Sequence, residues 1–400
     1  MDLPNSDDGN LVAGMNDGAT TCSSVAVCGG CPWIEVPHAE QVARKRANLV
    51  QQFENLGIEA GAVKAAEFLV PRWSRLRERV DLTLSGGVLG MIGGDKTGTV
   101  KLNGCTALAP ELFKYYEEFS RDLPTLAHKG SVRLRVAPDG QRGVWLDLAN
   151  VDAKSLLDDG AWLKRNLASQ VIEIGQRRKR VKIGGGTADG ARGADGLRLG
   201  EPELLRWTST FAGGVEIPLY STVGSFSQPG REGTKVLVRE VERVVQTTKP
   251  RKTLELGAGI GTFTLPLAMG GMPTVAWEMD LLAIAGLAKS KLELGLSDSQ
   301  LRVVTNRFDG DGFEELIATG DLDLILVDPP RSGLGGFVKK MLEVTANLLP
   351  SNFLYVSCYG ESLARDMTGL LAAGYKTRRV TFVDQFPQTP HCEYVVWLSL

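Results

Sequence analysis

The chain has 400 residues, 43% of them hydrophobic, which is enough apolar material for large cores and sets two domains ahead of one. No apolar stretch approaches the roughly 20 residues of a membrane helix, and the polar, acidic start lacks the basic and apolar regions of a signal peptide, so a cytoplasmic chain with no membrane partner is expected. A formal net charge of −2 excludes a global field for attracting nucleic acid and leaves that task to local patches.

Residues 1–21 carry Asn, Asp and Gly with little apolar periodicity, and are predicted to form a flexible tail. A helix is predicted over 39–56, with Val42, Leu49 and Phe53 on one face. Arg72, Arg75, Arg77 and Arg79 form a first basic cluster and residues 176–182 a second; each reads equally well as a solvated face or as a phosphate-binding patch. Between 79 and 148, β-rich runs at 80–84, 132–136 and 143–148 alternate with Gly and Asp turns, which predicts a small mixed domain. Residues 184–200 are Gly-rich and nearly free of large apolar groups, as in a linker or mobile loop. After about residue 222, strands at 253–256, 274–277, 302–305, 322–327, 353–357 and 394–398 alternate with helical stretches such as 281–294 and 336–348. That alternation predicts an α/β, doubly wound catalytic half over 223–400, preceded by a smaller domain over 22–222.

The strand at 253–256 runs straight into Gly257-Ala258-Gly259-Ile260-Gly261-Thr262 and then a helix. The third glycine falls one place earlier than a dinucleotide fingerprint requires. By itself such a loop is an even bet for a structural turn. Glu278, about 20 residues on at the end of the next strand, is placed to accept hydrogen bonds from ribose hydroxyls. S-adenosylmethionine, which has an adenosine and no pyrophosphate, suits the pair. The strand at 322–327 ends at Asp328-Pro329-Pro330-Arg331, where open α/β sheets bind ligands, although a Pro-rich turn capped by Asp reads the same locally.

Two later residues carry a specific chemistry. Cys358 follows an apolar strand, and Glu393 closes Phe386-Pro387-Gln388-Thr389-Pro390-His391-Cys392-Glu393. Uracil C5 is too poor a nucleophile to take a methyl group unaided. Addition of a thiolate to C6 makes C5 reactive, and a positioned base must then remove the C5 proton before sulfur leaves. Singly, Cys358 is a small core residue and Glu393 a surface carboxylate; together, after a cofactor loop, they read as nucleophile and base.

The ordered set Ser225-Phe226-Ser227-Gln228, the loop 255–262, Asp328-Pro329-Pro330-Arg331, Ser357-Cys358 with Leu363-Ala364-Arg365-Asp366, and Asp384-Gln385-Phe386-Pro387 through His391 and Glu393 resembles the RNA 5-methyluridine methyltransferases that act on transfer RNA or large-subunit ribosomal RNA. The resemblance spans nearly the whole chain, and is to the iron-sulfur 23S rRNA type without an N-terminal TRAM domain. It implies a C-terminal Rossmann-like S-adenosylmethionine-dependent domain and a β-rich α+β central domain that binds RNA and carries a cysteine cluster. It also implies Cys358 as nucleophile, Glu393 as base, and Gln228, Gly257, Thr262, Glu278, Asp309 and Asp328 around cofactor and target uracil. Two departures stand out: Tyr359-Gly360 follows the nucleophile where relatives have Asn-Pro, and Gly230 stands where relatives carry Asn.

Of six cysteines, Cys22, Cys28, Cys31 and Cys105 lie upstream. Without a secretion signal they point to metal or catalysis rather than disulfides. A single Cys-x-x-Cys alone leaves zinc the better guess. The resemblance instead implies a 4Fe-4S cluster on Cys22, Cys28, Cys31 and Cys105. Cys392 is expected to pack beside Glu393, and His391 to orient that loop rather than carry protons. The alternatives to uridine methylation are cytosine-C5 methylation, disfavoured because Asp328-Pro329-Pro330-Arg331 contains no cysteine, and a catalytically inactive iron-sulfur RNA-binding protein. A monomer is favoured, and the sequence names neither the RNA nor the uridine.

Overall fold

The computed structural model describes residues 22–176, 179–184, 198–307, 313, 317, 321–343 and 348–400. The expected tail, Arg177 and Arg178 of the second basic cluster, most of the Gly-rich segment and Asp309 lie outside the described residues.

The first helix, α1 (His38–Asn55), lies where the sequence predicts it, but its buried face is Gln41, Lys45, Leu49 and Phe53 rather than one led by Val42. A four-residue spacing keeps these side chains in one stripe along the helix. Two polar members are buried because both find partners elsewhere in the chain. A short helix, α2 (Gly61–Lys64), and a strand, β1 (Glu67–Leu69), follow.

The central region is one sheet with helices on it. Its strands are β2 (Arg79–Ser85), β3 (Val88–Ile92), β4 (Thr99–Val100), β5 (Lys129–Val136), β6 (Arg142–Leu148), β7 (Val171–Gln176), β8 (Lys179–Gly184) and β9 (Arg198–Gly200), in the order β4-β3-β2-β5-β6-β7-β8-β9. Strict alternation along β2 sends Val80, Leu82 and Leu84 inward. They pack with Leu112, Tyr116 and Phe119 of α3 (Pro110–Arg121), Leu156 of α4 (Ala153–Leu157), and Trp162 and Leu163 of α5 (Gly160–Leu167). A hairpin, β10 (Leu205–Ala212) with β11 (Val215–Ser221), turns on Gly213 and Gly214, both at positive φ, and leads to the C-terminal half.

That half alternates helix and strand as expected: α6 (Arg231–Thr248), β12 (Thr253–Leu256), α7 (Thr264–Met269), β13 (Thr274–Glu278), α8 (Leu281–Glu293), β14 (Leu301–Thr305), β15 (Leu324–Val327), α9 (Gly336–Glu343), β16 (Asn352–Ser357), α10 (Gly360–Ala372), β17 (Lys376–Val383) and β18 (Glu393–Ser399). The sheet order is β1-β17-β18-β16-β15-β12-β13-β14, parallel from β14 to β16, with β18 antiparallel to both its neighbours. Both faces are covered, which is why the central strands read as largely apolar runs, with Glu255 in β12 the buried exception. Leu324, Leu326, Leu354 and Val356 meet Leu237 and Val241 of α6 on one side. Ile325, Val327, Phe353 and Tyr355 meet Leu49 and Phe53 of α1, Phe337 of α9 and Met367 of α10 on the other.

The α/β class predicted from the sequence is the one observed. The strand β17 and the helix α10 carry no prediction, and β1 was not foreseen at all. β1 pairs in parallel with β17 and α1 packs on α10, so residues 38–69 belong to the C-terminal sheet although they precede residue 222. No helix among the described residues is long and apolar enough to cross a membrane.

Candidate active site at the carboxyl edge of the sheet

Sheet register gathers the site. Leu256 of β12 is paired with Trp277 of β13 and with Val327 of β15, so one step further along stand Gly257, Glu278 and Asp328 side by side. On the other flank Ser357 is paired with Tyr394 in antiparallel register, and one step further Cys358 faces Glu393. Carboxyl ends of parallel strands are where open sheets of this kind hold ligands. Cys358 is half-buried; Glu393 is 3% exposed, and its Oε2 is buried with no hydrogen-bond partner among the described residues.

Burial dominates the electrostatics of this edge. It pushes the Asp328 carboxyl up to about 7, opposed by a hydrogen bond from Gln228. Burial and then the charge of Asp328 push Glu393 well above the ordinary carboxylate range, with Arg331 pulling it down. Two buried carboxyls that repel in this way each make ionisation of the other less favourable. The Cys358 thiol is pushed up to about 11 by burial and then by Glu393 and Asp328, while Arg331 opposes by charge and hydrogen bonding. Glu255, fully buried and bonded by Thr264 Oγ1, rises to about 8 through burial and the charges of Asp328 and Glu278. Ionising this edge would gather several like charges in a dehydrated site, a setting that a cation relieves.

The glycine loop is held by Glu278, whose Oε2 accepts from Gly259 N–H at 2.9 Å and whose Oε1 accepts from the Met279 and Asp280 N–H groups at 2.7 and 2.8 Å. Gly257 N–H donates to the Trp277 carbonyl at 2.8 Å. Thr262 is half-buried, and its carbonyl accepts from Thr210 Oγ1 of β10 at 2.5 Å.

Gln228 reaches the same edge from the end of the central region. Its Nε2 donates to Asp328 Oδ2 at 3.1 Å, and its Oε1 accepts from Gln385 Nε2 at 3.1 Å. The segment carrying Gln228 is fixed by buried charges of the central sheet. Arg135, 1% exposed, donates to Ser227 Oγ at 2.7 Å and to the Thr222 carbonyl at 3.2 Å. Glu173 accepts from the Val223 and Gly224 N–H groups, both at 2.9 Å. Gly230 has a steric cause as well: a Cβ there would lie 1.8 Å from the Leu76 carbonyl oxygen, which leaves no room for the Asn of its relatives.

A second cluster lies apart from this edge. Cys22, Cys28, Cys31 and Cys105 line one cavity of about 40 Å³ together with Arg77, Met91 and Leu102. Cys28 Sγ accepts from Gly30 N–H at 3.4 Å, and Cys105 is bonded by the Ala107 and Leu108 N–H groups. Burial, and then the nearby Cys105, Cys28 and Cys22, push the Cys31 thiol up to about 11 against the pull of Arg77. Among the described residues no set of three or more His, Cys, Asp and Glu side chains is arranged as a metal would hold it.

Of the residues named from the sequence, the structure brings Gln228, Gly257, Glu278, Asp328, Cys358 and Glu393 to one edge, with Thr262 on the adjoining loop; Asp309 lies outside the described residues. Cys392 is buried beside Glu393, as expected. Arg331 and Gln385 were quoted within motifs but given no role, and their position after Asp328 and Asp384 was the available signal. Glu255 likewise lies in the motif loop 255–262 without an expected role, while Arg135 and Lys45 carry no expectation, since a charged residue inside an apolar run or helix bears no sequence mark of what it will meet.

Comparisons with known proteins place the chain among RNA methyltransferases. The family described as tRNA (Uracil-5-)-methyltransferase matches residues 315–400, which include Asp328, Cys358 and Glu393. An uncharacterized RNA methyltransferase of Bdellovibrio bacteriovorus is 36% identical over 373 residues, 93% of each chain. The 23S rRNA (uracil(1939)-C(5))-methyltransferase RlmD of Chromobacterium violaceum is 26% identical over 94% of this chain and 72% of its own. Among solved structures, the Pyrococcus abyssi tRNA (uracil-54, C5)-methyltransferase in complex with S-adenosyl-L-homocysteine shares the fold, with a TM-score of 0.65 at 19% identity over 93% of this chain and 86% of that one. An edge that pairs a thiol with a buried carboxyl beside a glycine loop, on a chain with these relatives, leads to one conclusion: the protein belongs to the RNA 5-methyluridine methyltransferase family, S-adenosylmethionine-dependent enzymes that methylate uracil C5.

Proposed function

We propose that this enzyme methylates uridine C5 in structured RNA, ribosomal RNA ahead of transfer RNA, through a covalent bond between Cys358 and C6, with Glu393 as the base. The observation that carries the reading is the antiparallel register that sets Cys358 against Glu393, whose Oε2 has no other partner among the described residues. The ribosomal preference is supported by the Chromobacterium relative, whose name specifies 23S rRNA.

The base is flipped out of its stack to reach the edge. The Cys358 thiolate bonds to C6 through Sγ, and the electrons of the C5–C6 double bond move into the C4 carbonyl to give an O4 enolate. Bound S-adenosylmethionine supplies the methyl group that C5 then takes. Glu393 removes the C5 proton, the C5–H electrons restore the double bond, and the sulfur leaves as thiolate. Gln228, Gly257, Thr262, Glu278 and Asp328, with Asp309, would hold the cofactor and the uracil. The open glycine loop and the buried carboxyls suit a ligand that carries positive charge.

Those carboxyls make affinity depend on pH. Asp328 and Glu255 have folded pKa values of about 7 and about 8, well above the ordinary range, so both are largely protonated at pH 6. Raising the pH ionises them in the folded protein, so S-adenosylmethionine should bind about tenfold or more tighter at pH 8 than at pH 6, with proton release near pH 7. The same shifts make the free enzyme less stable as pH rises from about 4 to 8, because the unfolded carboxyls ionise first. Calorimetry in buffers of different ionisation enthalpy measures both; an affinity flat across this range overturns the assignment.

We also propose that residues 22–222, apart from the 38–69 segment that joins the C-terminal sheet, serve RNA binding and 223–400 catalysis, and that Cys22, Cys28, Cys31 and Cys105 hold a 4Fe-4S cluster. Four thiols around one cavity, two of them receiving backbone N–H groups, suit thiolate ligands, and a cluster there would cross-link the first loop to the central sheet. An open groove lined by Lys96, Lys129, Thr83 and Ser131 supports the RNA assignment. Anaerobic purification should yield iron and sulfide with a brown chromophore, lost in Cys31→Ser; zinc in their place overturns the cluster.

The test of function is nucleoside analysis of RNA after incubation with the enzyme and S-adenosylmethionine. 5-Methyluridine is expected. 5-Methylcytidine selects the cytosine enzyme, and RNA binding with no product selects the inactive reading.

A further inference from the structure

Glu393 stands at the start of β18, and the nine residues before it form no helix or strand. What holds that segment is α1, from the far end of the chain. Lys45 Nζ donates to Asp384 Oδ2 at 2.6 Å, both side chains being 0% exposed, and to the Phe386 carbonyl at 3.1 Å. Asp384 Oδ1 accepts from Phe386 N–H at 3.0 Å. One turn earlier on the same stripe, Gln41 Oε1 accepts from Gln388 N–H at 2.9 Å, and Gln41 Nε2 donates to Gln388 Oε1 at 2.6 Å. Gln41 Nε2 also donates to the Trp33 and Val36 carbonyls at 3.1 and 2.8 Å, while Trp33 N–H donates to the Gln388 carbonyl at 2.9 Å.

Gln388 has φ 67, a left-handed conformation that a non-glycine residue holds only when its surroundings require it. Between the two anchors sits Gln385, which bonds Gln228, which bonds Asp328. The helix also touches the other partner of the reaction. A Cβ at Gly360, two residues after Cys358, would lie 3.1 Å from Leu49 Cδ1 and 2.2 Å from Gln52 Oε1 of α1. Thus one helix face braces both the turn after the thiol and the loop before the carboxyl.

We propose that Gln41 and Lys45 are positioning residues for Glu393: by clamping residues 384–388 they hold its carboxyl in line with the C5 proton. The proposal rests on the covalent reading above. Loss of the clamp slows proton removal and leaves adduct formation and methyl transfer in place, because Cys358 is carried by β16 and the turn after it rests on Leu49 and Gln52 rather than on Gln41 or Lys45. A misplacement of about 1 Å costs roughly 10²-fold in such a step.

The test uses Gln41→Met, which keeps the length of the side chain and removes its hydrogen bonds, and Gln388→Gly, which keeps the left-handed backbone and its N–H and removes the Oε1 that Gln41 Nε2 bonds. Thermal unfolding and S-adenosylmethionine binding establish that the variants are folded. Each is incubated with ordinary uridine RNA and S-adenosylmethionine. The expected result is a kcat lower by roughly 10- to 100-fold, a KM for RNA within about twofold, and a methylated protein–RNA adduct that survives denaturation and accumulates. Gln41→Met and Gln388→Gly with wild-type turnover, or with adduct formation and turnover lost in equal measure, overturn the proposal, as does failure of both variants to fold, which assigns the clamp to stability alone. A wild-type enzyme that forms no adduct even on 5-fluorouridine RNA marks the covalent reading itself as the failure.

Discussion

Cys358→Ala is expected to abolish formation of 5-methyluridine, lowering turnover by roughly 10⁴-fold or more, because uracil C5 has no other route to nucleophilic character at this edge. The side chain is half-buried at the end of β16, so its loss opens little space and should leave unfolding temperature and S-adenosylmethionine affinity near those of the wild type. The decisive readout is the adduct with 5-fluorouridine RNA. Fluorine at C5 leaves no proton for Glu393 to remove, so the wild type should be trapped on the RNA while Cys358→Ala is not. The ordinary state of this thiol is protonated, pushed up to about 11 by burial and by its two carboxylate neighbours. Trapping should therefore speed up as pH rises from 7 to 9, with the thiolate fraction growing about tenfold per pH unit. A folded Cys358→Ala that still methylates would remove the covalent mechanism.

Glu393→Gln separates the two halves of the reaction. The amide keeps the shape of the side chain and cannot take a proton, so methyl transfer should proceed once and then stop, with C5 carrying both its hydrogen and the new methyl. Turnover should fall by roughly 10²–10⁴-fold, the range of a positioned general base. Ordinary uridine RNA should then give what only the fluorinated RNA gives with the wild type: a methylated adduct stable to denaturation, visible as a gel shift and by mass. Replacing a buried carboxyl beside Asp328 with a neutral group also removes a repulsion, so stability should not fall. A folded variant that turns over normally, or that never bonds to RNA, would assign the base elsewhere.

The two departures from the family pattern have local packing causes. Gly230 passes against the Leu76 carbonyl, and Gly360 lies against Leu49 and Gln52 of α1. Neither removes a group from the edge where Cys358, Glu393, Asp328 and Gln228 meet.

The sequence by itself determined the α/β class, the strands that end in Glu278, Asp328 and Cys358, and most of the residues at the edge. Strands buried on both faces must be apolar, and the polar residue that ends each run is conspicuous for that reason. Tertiary structure alone decided what lies next to what. That Cys358 faces Glu393 follows from the antiparallel register of β16 and β18, which no local pattern encodes. Lys45 and Gln41 read as the solvated side of a helix, since a polar residue shows its burial only through a partner, and theirs stand 339 and 347 residues away at Asp384 and Gln388. Burial likewise set the proton affinities of Asp328, Glu255 and Cys358, because desolvation is a property of the assembled edge rather than of any residue in it.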